Sequence, residues 1–219
     1  MSAEYPIDLH GTQLLLLAAK ALYWPARQLL CVADAHFGKA AAFRALGQPV
    51  PHGTTSDNLA RLDDLLAGYP ARQLLFLGDF LHARESHAPA TLAALSAWRQ
   101  RHRALHCTLV RGNHDQHAGD PPSGLDIELL DEPLELTPFS FRHIPRTERG
   151  HYVIAGHEHP VYRLQGRARQ RLRLPCFTLT DQTMVLPSFG DFTGGHTVNP
   201  TPGRRVFIAN GASVWPIPA

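Results

Sequence analysis

Five short segments of this 219-residue chain carry side chains suited to metal chemistry. They are Asp34-Ala35-His36, Gly78-Asp79-Phe80-Leu81-His82, Gly112-Asn113-His114-Asp115, the isolated His143, and Gly156-His157-Glu158-His159. Singly, each is ordinary: an Asp-x-His is commonly a turn beside a surface histidine, and Gly-Asp is a turn former. Gly-Asn-His-Asp is more pointed, because four polar residues follow an apolar run there. His157 and His159, two positions apart, would share one face of an extended segment, a chelating arrangement. Together the segments offer carboxylate, amide and imidazole donors and no thiolate. That set suits manganese, iron, zinc or magnesium rather than a structural, cysteine-bound zinc. Seven candidates, Asp34, His36, Asp79, Asn113, His143, His157 and His159, exceed the needs of one ion. Two ions sharing one carboxylate would use them all, and such a pair, ~3.5–4 Å apart, suits in-line displacement at phosphorus.

The elements that must position these residues can be read from what precedes them. Residues 27–33, 73–77 and 105–110 are short apolar runs, and each stops at one of the polar segments. Continuous apolar runs of this length suggest strands buried on both faces of a parallel or mixed sheet. Ligand crevices in open α/β sheets lie at the carboxyl ends of strands, so three such ends can share one crevice. Between the runs, Leu59, Leu62, Leu65 and Leu66 recur at helical spacing over 58–66, with Ser56-Asp57 as the expected cap. Leu92, Leu95 and Trp98 mark a second helix over 89–102. After residue 120 helical spacing nearly vanishes. The segments 134–142, 152–155, 172–179, 183–186 and 204–209 are β-like, with Gly and Pro between them. The expectation is an α/β unit over 1–219, with two packed sheets and helices outside.

Composition sets the outer limits. Lys and Arg number 21 and Asp and Glu 19, a net +2 that announces neither nucleic acid nor membrane. Cys31, Cys107 and Cys176 are odd in number and sit in apolar surroundings, so they are expected to be small core residues in a reducing cytoplasm. The first apolar run, 14–19, is too short for a membrane helix and lacks the basic lead of a signal peptide. The 14 histidines are the compositional anomaly.

In this order the five segments resemble the calcineurin-like metallophosphoesterase superfamily, with its pattern D-x-H, G-D-x-x, G-N-H-D/E, H and G-H-x-H, matched from residue 34 to 159. The resemblance implies a four-layer αββα sandwich with a dinuclear site at strand carboxyl ends. By position it implies Asp34, His36, Asp79 and His159 as ligands of one ion, with Asp79 bridging, and Asn113, His143 and His157 as ligands of the other. His114 corresponds to the general acid or phosphate-contacting histidine, and Asp115 to its orienting partner. His82 stands where the family often has Asp or Arg, and is read as a substrate contact rather than a ligand. The implied chemistry is attack on phosphorus by a hydroxide bridging the ions, with His114 stabilising phosphoryl charge and protonating the leaving oxygen.

A narrower similarity spans roughly 31–210. It rests on Asp34-Ala35-His36-Phe37-Gly38-Lys39, Phe43-Arg44, residues 47–54, Gly156-His157-Glu158-His159-Pro160, Leu174-Pro175-Cys176-Phe177 and residues 186–195. These are similar to the bacterial ligase-associated DNA damage response metallophosphoesterases, described as endonucleases. That similarity implies a DNA phosphodiester substrate, a pair of divalent ions with manganese expected, a bacterial cytoplasm, and association with an ATP-dependent DNA ligase, a helicase and an exonuclease. The residues themselves say less about DNA. Lys39 and Arg44 follow the first ligand segment and could hold a phosphate, although Arg44 reads equally as a solvated helix residue. Arg167, Arg169, Arg171 and Arg173 alternate at period two, as a backbone-tracking face or as a charged strand edge that prevents aggregation. Gly194-Gly195-His196 reads as a close approach to the site or a plain loop. Phe37 and Phe43 read as core before base-stacking, and Trp24, Trp98 and Trp215 as packing residues. The alternatives are a phosphoesterase for a nucleotide or other small ester, and a non-catalytic adaptor of a repair complex.

Overall fold

The apolar runs that stop at the polar segments are neighbouring parallel strands. The protein is described by a computed structural model covering residues 2–48, 54–165, 171–191 and 193–218. The first sheet has the order β1 (Glu4–Leu9), β2 (Thr12–Leu17), β3 (Ala21–Trp24), β4 (Leu29–Ala33), β5 (Gln73–Leu77), β6 (His106–Val110) and β7 (Glu128–Leu130). Its first four strands pair antiparallel, and β4 to β7 pair parallel. The connections between the parallel strands carry α1 (Lys39–Ala45), α2 (Thr54–Gly68), α3 (Pro89–Arg101) and α4 (Asn113–Ala118).

The second sheet is built from β8 (Leu134–Leu136), β9 (Phe139–Arg142), β10 (Tyr152–Ala155), β11 (Pro160–Gln165), β12 (Arg171–Leu179), β13 (Thr183–Val185), β14 (His196–Val198), β15 (Arg205–Ala209) and β16 (Val214–Ile217). Its strand order is β14-β11-β12-β13-β10-β9-β8, with β15 pairing to both β12 and β16. The expected stretch 134–142 is two strands, β8 and β9, which pair with each other across a turn containing Pro138.

Strand alternation explains why the runs are apolar throughout. In β4, Leu29, Cys31 and Ala33 face the core between the sheets, whereas Leu30 and Val32 face the helices. In β2, Leu14 and Leu16 face inward and Leu15 and Leu17 outward. The second sheet supplies Phe139, Phe141, Ile154, Phe177, Met184 and Phe207 to the shared core. Trp24 meets Phe139 edge-on, ring centroids 5.1 Å apart. All three cysteines are buried and unpaired, as small apolar packing residues.

The mixed α/β class and the paired sheets agree with the expectation. Among the described residues every α-helix precedes Gly119, and the helices pack on the first sheet. The outer face of the second sheet carries its own small cluster, Cys176, Val198, Val206 and Ile208 with Tyr162, Leu174 and Trp215. Helix α2 begins at Thr54, ahead of the expected cap, so Ser56 and Asp57 lie within it. Its Leu59, Leu62 and Leu65 are buried on one stripe against the sheet. Leu62 is fully buried, so Leu62→Ala is expected to lower the free energy of unfolding by about 2–5 kcal/mol in urea titration. No helix among the described residues is long and apolar enough to cross a membrane.

Candidate metal centre

Six of the seven candidate donors follow the carboxyl end of a strand. Asp34 and His36 follow β4, Asp79 follows β5, Asn113 opens α4 just after β6, His143 follows β9 and His157 follows β10. His159 directly precedes β11. The donors gather as two groups meeting at one carboxylate: Asp34, His36, Asp79 and His159 in one, and Asp79, His143 and His157 in the other. Within each group the donor atoms lie within 4.8 Å of one another. In the first, His159 Nε2 lies 3.4 Å from Asp34 Oδ1, and His36 Nε2 lies 3.8 Å from Asp79 Oδ2. In the second, His143 Nε2 lies 3.5 Å from Asp79 Oδ1, 2.8 Å from Asn113 Oδ1 and 3.0 Å from His157 Nδ1. The amide of Asn113 thus completes a four-donor set around Asp79, His143 and His157.

The backbone is bent to achieve this. Asp34, His36, Asp79, His157 and His159 all have positive φ, between 45° and 70°, a conformation uncommon outside glycine and typical of sites where the surroundings overdetermine the chain. This changes one expectation. With φ of 70° and 45°, His157 and His159 do not sit on one face of an extended segment; they turn into different donor groups. Gly112 and Gly156 also permit the close fit. A Cβ on Gly112 would come within 2.5 Å of Asp79 Oδ1, and one on Gly156 within 2.7 Å of Asp34 Oδ2.

Two supports lie beyond what the motifs suggested. The buried Asp115 carboxylate accepts the N–H groups of Gly112 (2.8 Å), Asp79 (2.8 Å) and Phe80 (2.9 Å), tying two ligand loops together. Burial pushes this carboxyl up to about 6 despite those donors, with the Asp79 charge adding to the rise. The role expected of Asp115, orienting His114, is taken by the His82 carbonyl, 3.1 Å from His114 Nδ1. The second support is the loop after β13. Ser188 Oγ donates to the Asp34 carbonyl (3.0 Å), as does the Gly190 N–H (3.0 Å), and the Phe189 N–H donates to Ala33 (2.8 Å). Asp191 anchors this loop between Lys20 (3.1 Å) and Arg61 (2.6 Å). In the sequence, Pro187-Ser188-Phe189-Gly190 reads as punctuation after an apolar strand and as part of the 186–195 segment of the subgroup similarity; neither reading assigns it a contact with Asp34.

His114 stands at the mouth, its side chain 42% exposed, with Nε2 4.0 Å from Asp79 Oδ2. His82 stacks on it at 5.5 Å. Burial, with Lys39 and His114, pushes the His82 imidazole down to about 4, Glu85 opposing. His36 is held far below the usual imidazole range by burial, then by Lys39 and the surrounding histidines. Both effects favour the neutral imidazole, the form that donates a lone pair to a metal. His159 goes the other way: burial works against its charge, but the approach and charge of Asp34, and then of Asp79, raise it. Burial lowers Lys39 while the charges of Asp79 and Asp34 oppose the shift, and its Nζ lies 5.7 Å from the centre of the Phe43 ring. Arg44 is exposed in the last turn of α1, and among the described residues it makes no ion pair or side-chain hydrogen bond. Phe37 is core, whereas Phe43 is half-buried with its ring 5.7 Å from His82. Gly195 does come close: a Cβ there would lie 2.8 Å from the His159 carbonyl. Arg167, Arg169, residues 49–53 and Phe192 lie outside the described residues.

The arrangement fits divalent cations. Asp34 Oδ1, His36 Nε2 and His159 Nε2 are buried without a hydrogen-bond partner among the described residues, and they are members of one donor group. Unpaired buried polar atoms are costly, and a shared cation would satisfy all three.

Comparison with known proteins agrees with this geometry. The profile of the calcineurin-like phosphoesterases matches residues 27–150. The crystal structure of the nuclease MPE of Pseudomonas putida is 50% identical over 98% of this chain and 100% of that chain, with a TM-score of 0.88. AQ665 of Aquifex aeolicus, a protein of unknown function, is 21% identical over 64% of this chain and 81% of that chain, with a TM-score of 0.41. A search of curated proteins gave no match. The profile spans more than half of the chain and covers four of its strand-end segments, from Asp34 to His143, and on that ground the chain belongs to the calcineurin-like phosphoesterase family.

Proposed function

We propose that this phosphoesterase is a divalent-metal-dependent phosphodiesterase that cuts within DNA strands. The observation that carries the reading is the pair of donor groups joined at Asp79 in a chain 50% identical, over 98% of its length, to a nuclease. Asp34, His36, Asp79 and His159 would hold one ion, and Asp79, Asn113, His143 and His157 the other. Bound ions supply Lewis acidity toward the phosphoryl oxygens and a water acidic enough to attack near neutral pH.

The remaining work falls to the chain. His114 is oriented through Nδ1 by the His82 carbonyl, which leaves Nε2 free toward the cleft. A protonated Nε2 there donates to the leaving oxygen. Lys39 and His82 border the same opening and hold phosphoryl charge. We place this activity in DNA repair in a bacterial cytoplasm, alongside an ATP-dependent ligase, a helicase and an exonuclease, on the strength of the subgroup resemblance. Manganese is the proposed metal, because the mixed carboxylate, amide and imidazole set accommodates it.

The test is supercoiled plasmid incubated with manganese, magnesium or zinc, beside aryl phosphodiester and phosphomonoester substrates. Nicking of plasmid and hydrolysis of the diester are expected. His114→Ala should lower both by about 10²–10⁴-fold, the usual worth of a positioned acid. Turnover of the monoester alone would replace this reading with a small-ester phosphatase, and no turnover with any of these metals would favour an adaptor.

A further inference from the structure

We infer that the β11–β12 hairpin is an arm that grips the phosphodiester backbone of the substrate strand on one side of the cleavage point. Strand β11 starts at Pro160, the residue after His159, and runs outward to Gln165; β12 returns from Arg171. The register pairs Val161 with Pro175, Tyr162 with Leu174, Arg163 with Arg173, Leu164 with Leu172 and Gln165 with Arg171. Residues opposite one another share a face, and faces alternate along a strand. One face of the arm is therefore Val161, Pro175, Arg163, Arg173, Gln165 and Arg171. The other is Tyr162, Leu174, Leu164 and Leu172, which runs into the outer cluster with Cys176 and Trp215.

The arginine face begins at the metal centre. Val161 and Pro175, its innermost pair, line a cavity together with His159 and Lys20. The Arg173 guanidinium donates to the carbonyl of Gly195, the residue packed against the His159 backbone. At ~3.3 Å per residue, Arg163 lies about 13 Å along the strand from His159. That distance corresponds to roughly four steps of ~3.4 Å along the axis of a duplex.

Two features say that this face awaits an anion. Arg163 and Arg173 are directly opposed, a like-charge pairing that costs stability in an antiparallel sheet. Among the described residues, neither Arg163 nor Arg171 joins any of the ion pairs that occupy other arginines. The sequence from Pro160 to Phe177 contains five of the chain's 21 basic residues and no acid, so without this segment the chain would be net negative. A charge meant only to discourage edge pairing could sit on either face; here Arg163, Arg171 and Arg173, the described arginines of β11 and β12, are all on the face that leads to His159.

The inference rests on the nuclease reading, and its test separates the two. Binding of the manganese-loaded protein to a fluorescent, cleavage-resistant phosphorothioate 20-mer is measured across salt concentrations. In parallel, kcat/KM is compared for a cleavable 20-mer and for a dinucleotide too short to reach the arm. Arg163→Gln with Arg171→Gln should weaken 20-mer binding about tenfold and flatten the log–log salt slope by about 1.4, the share of two phosphates on a single strand. It should also lower the 20-mer to dinucleotide kcat/KM ratio by a similar factor. Arg163→Lys with Arg171→Lys should restore both. Unchanged 20-mer affinity and salt slope would overturn the arm even if the wild-type protein cleaves diesters well. Arm-dependent binding by a protein that cleaves no diester would uphold the arm and overturn the nuclease reading. Loss of poly-glutamate binding with 20-mer binding intact would assign the arm to an acidic protein and overturn the inference.

Discussion

Asp79→Asn is expected to lower phosphodiester hydrolysis by about 10³-fold or more, on the scale seen when a key electrostatic group is removed from an active site. Asp79 is the one side chain common to both donor groups. Its Oδ1 lies 3.5 Å from His143 Nε2 and its Oδ2 3.8 Å from His36 Nε2. Asparagine keeps the size and the Oδ1 acceptor that takes the His114 N–H at 2.9 Å. The loops should therefore stay in place while the shared negative charge is lost. Two measurements check this: aryl phosphodiester turnover at saturating manganese, and metal content after gel filtration. The expected result is a variant with a native circular dichroism spectrum, less than a full complement of metal and negligible turnover. Full metal content with wild-type turnover would mean that Asp79 does not join two ions, and the proposed chemistry would fall with it.

The parts of this centre that could be read in advance are those where residue type alone decides the role. Residues 74–77 and Tyr152–Ala155 are apolar throughout because both strand faces are buried, and their ends are marked by Gly-Asp and Gly-His. The donor residues are recognisable because few other roles would collect Asp, Asn and His at successive strand ends. What could not be read is backbone geometry. Spacing puts His157 and His159 on one face; positive φ at both sends them to separate donor groups. Asp115 looks like a partner for the adjacent His114, yet its three acceptor contacts are all to main-chain N–H groups, which no side-chain pattern reveals. Ser188 and Gly190 act on Asp34 across more than 150 residues of sequence. β11 escaped because only Pro160 in it is fully buried and its outer half, Arg163, Leu164 and Gln165, is exposed in a hairpin, without the buried face that alternation depends on. Leu164 and Leu172, 41% and 55% exposed, are cross-strand partners there.

Gly78→Ala is expected to disable the centre through shape alone. Gly78 has φ +69°, and a Cβ built on it would sit 2.1 Å from His143 Nδ1 and 2.4 Å from His143 Cγ. The ring has no room to retreat. It is buried, with Nδ1 3.2 Å from the Leu77 carbonyl and Nε2 against Asn113. The left-handed backbone costs an L-residue ~1–2 kcal/mol, and overpacking a filled interior adds ~1–3 kcal/mol. A loss of about 2–5 kcal/mol in urea unfolding follows, with activity falling further because His143 must leave its donor position. Gly11→Ala separates the two contributions. Gly11 has φ +72° but nothing within 4 Å of its would-be Cβ, so only the backbone cost of ~1–2 kcal/mol applies and turnover should be retained. Equal destabilisation of the two variants, or normal metal content in Gly78→Ala, would show that His143 is not locked against β5 and that the second donor group is looser than its distances imply.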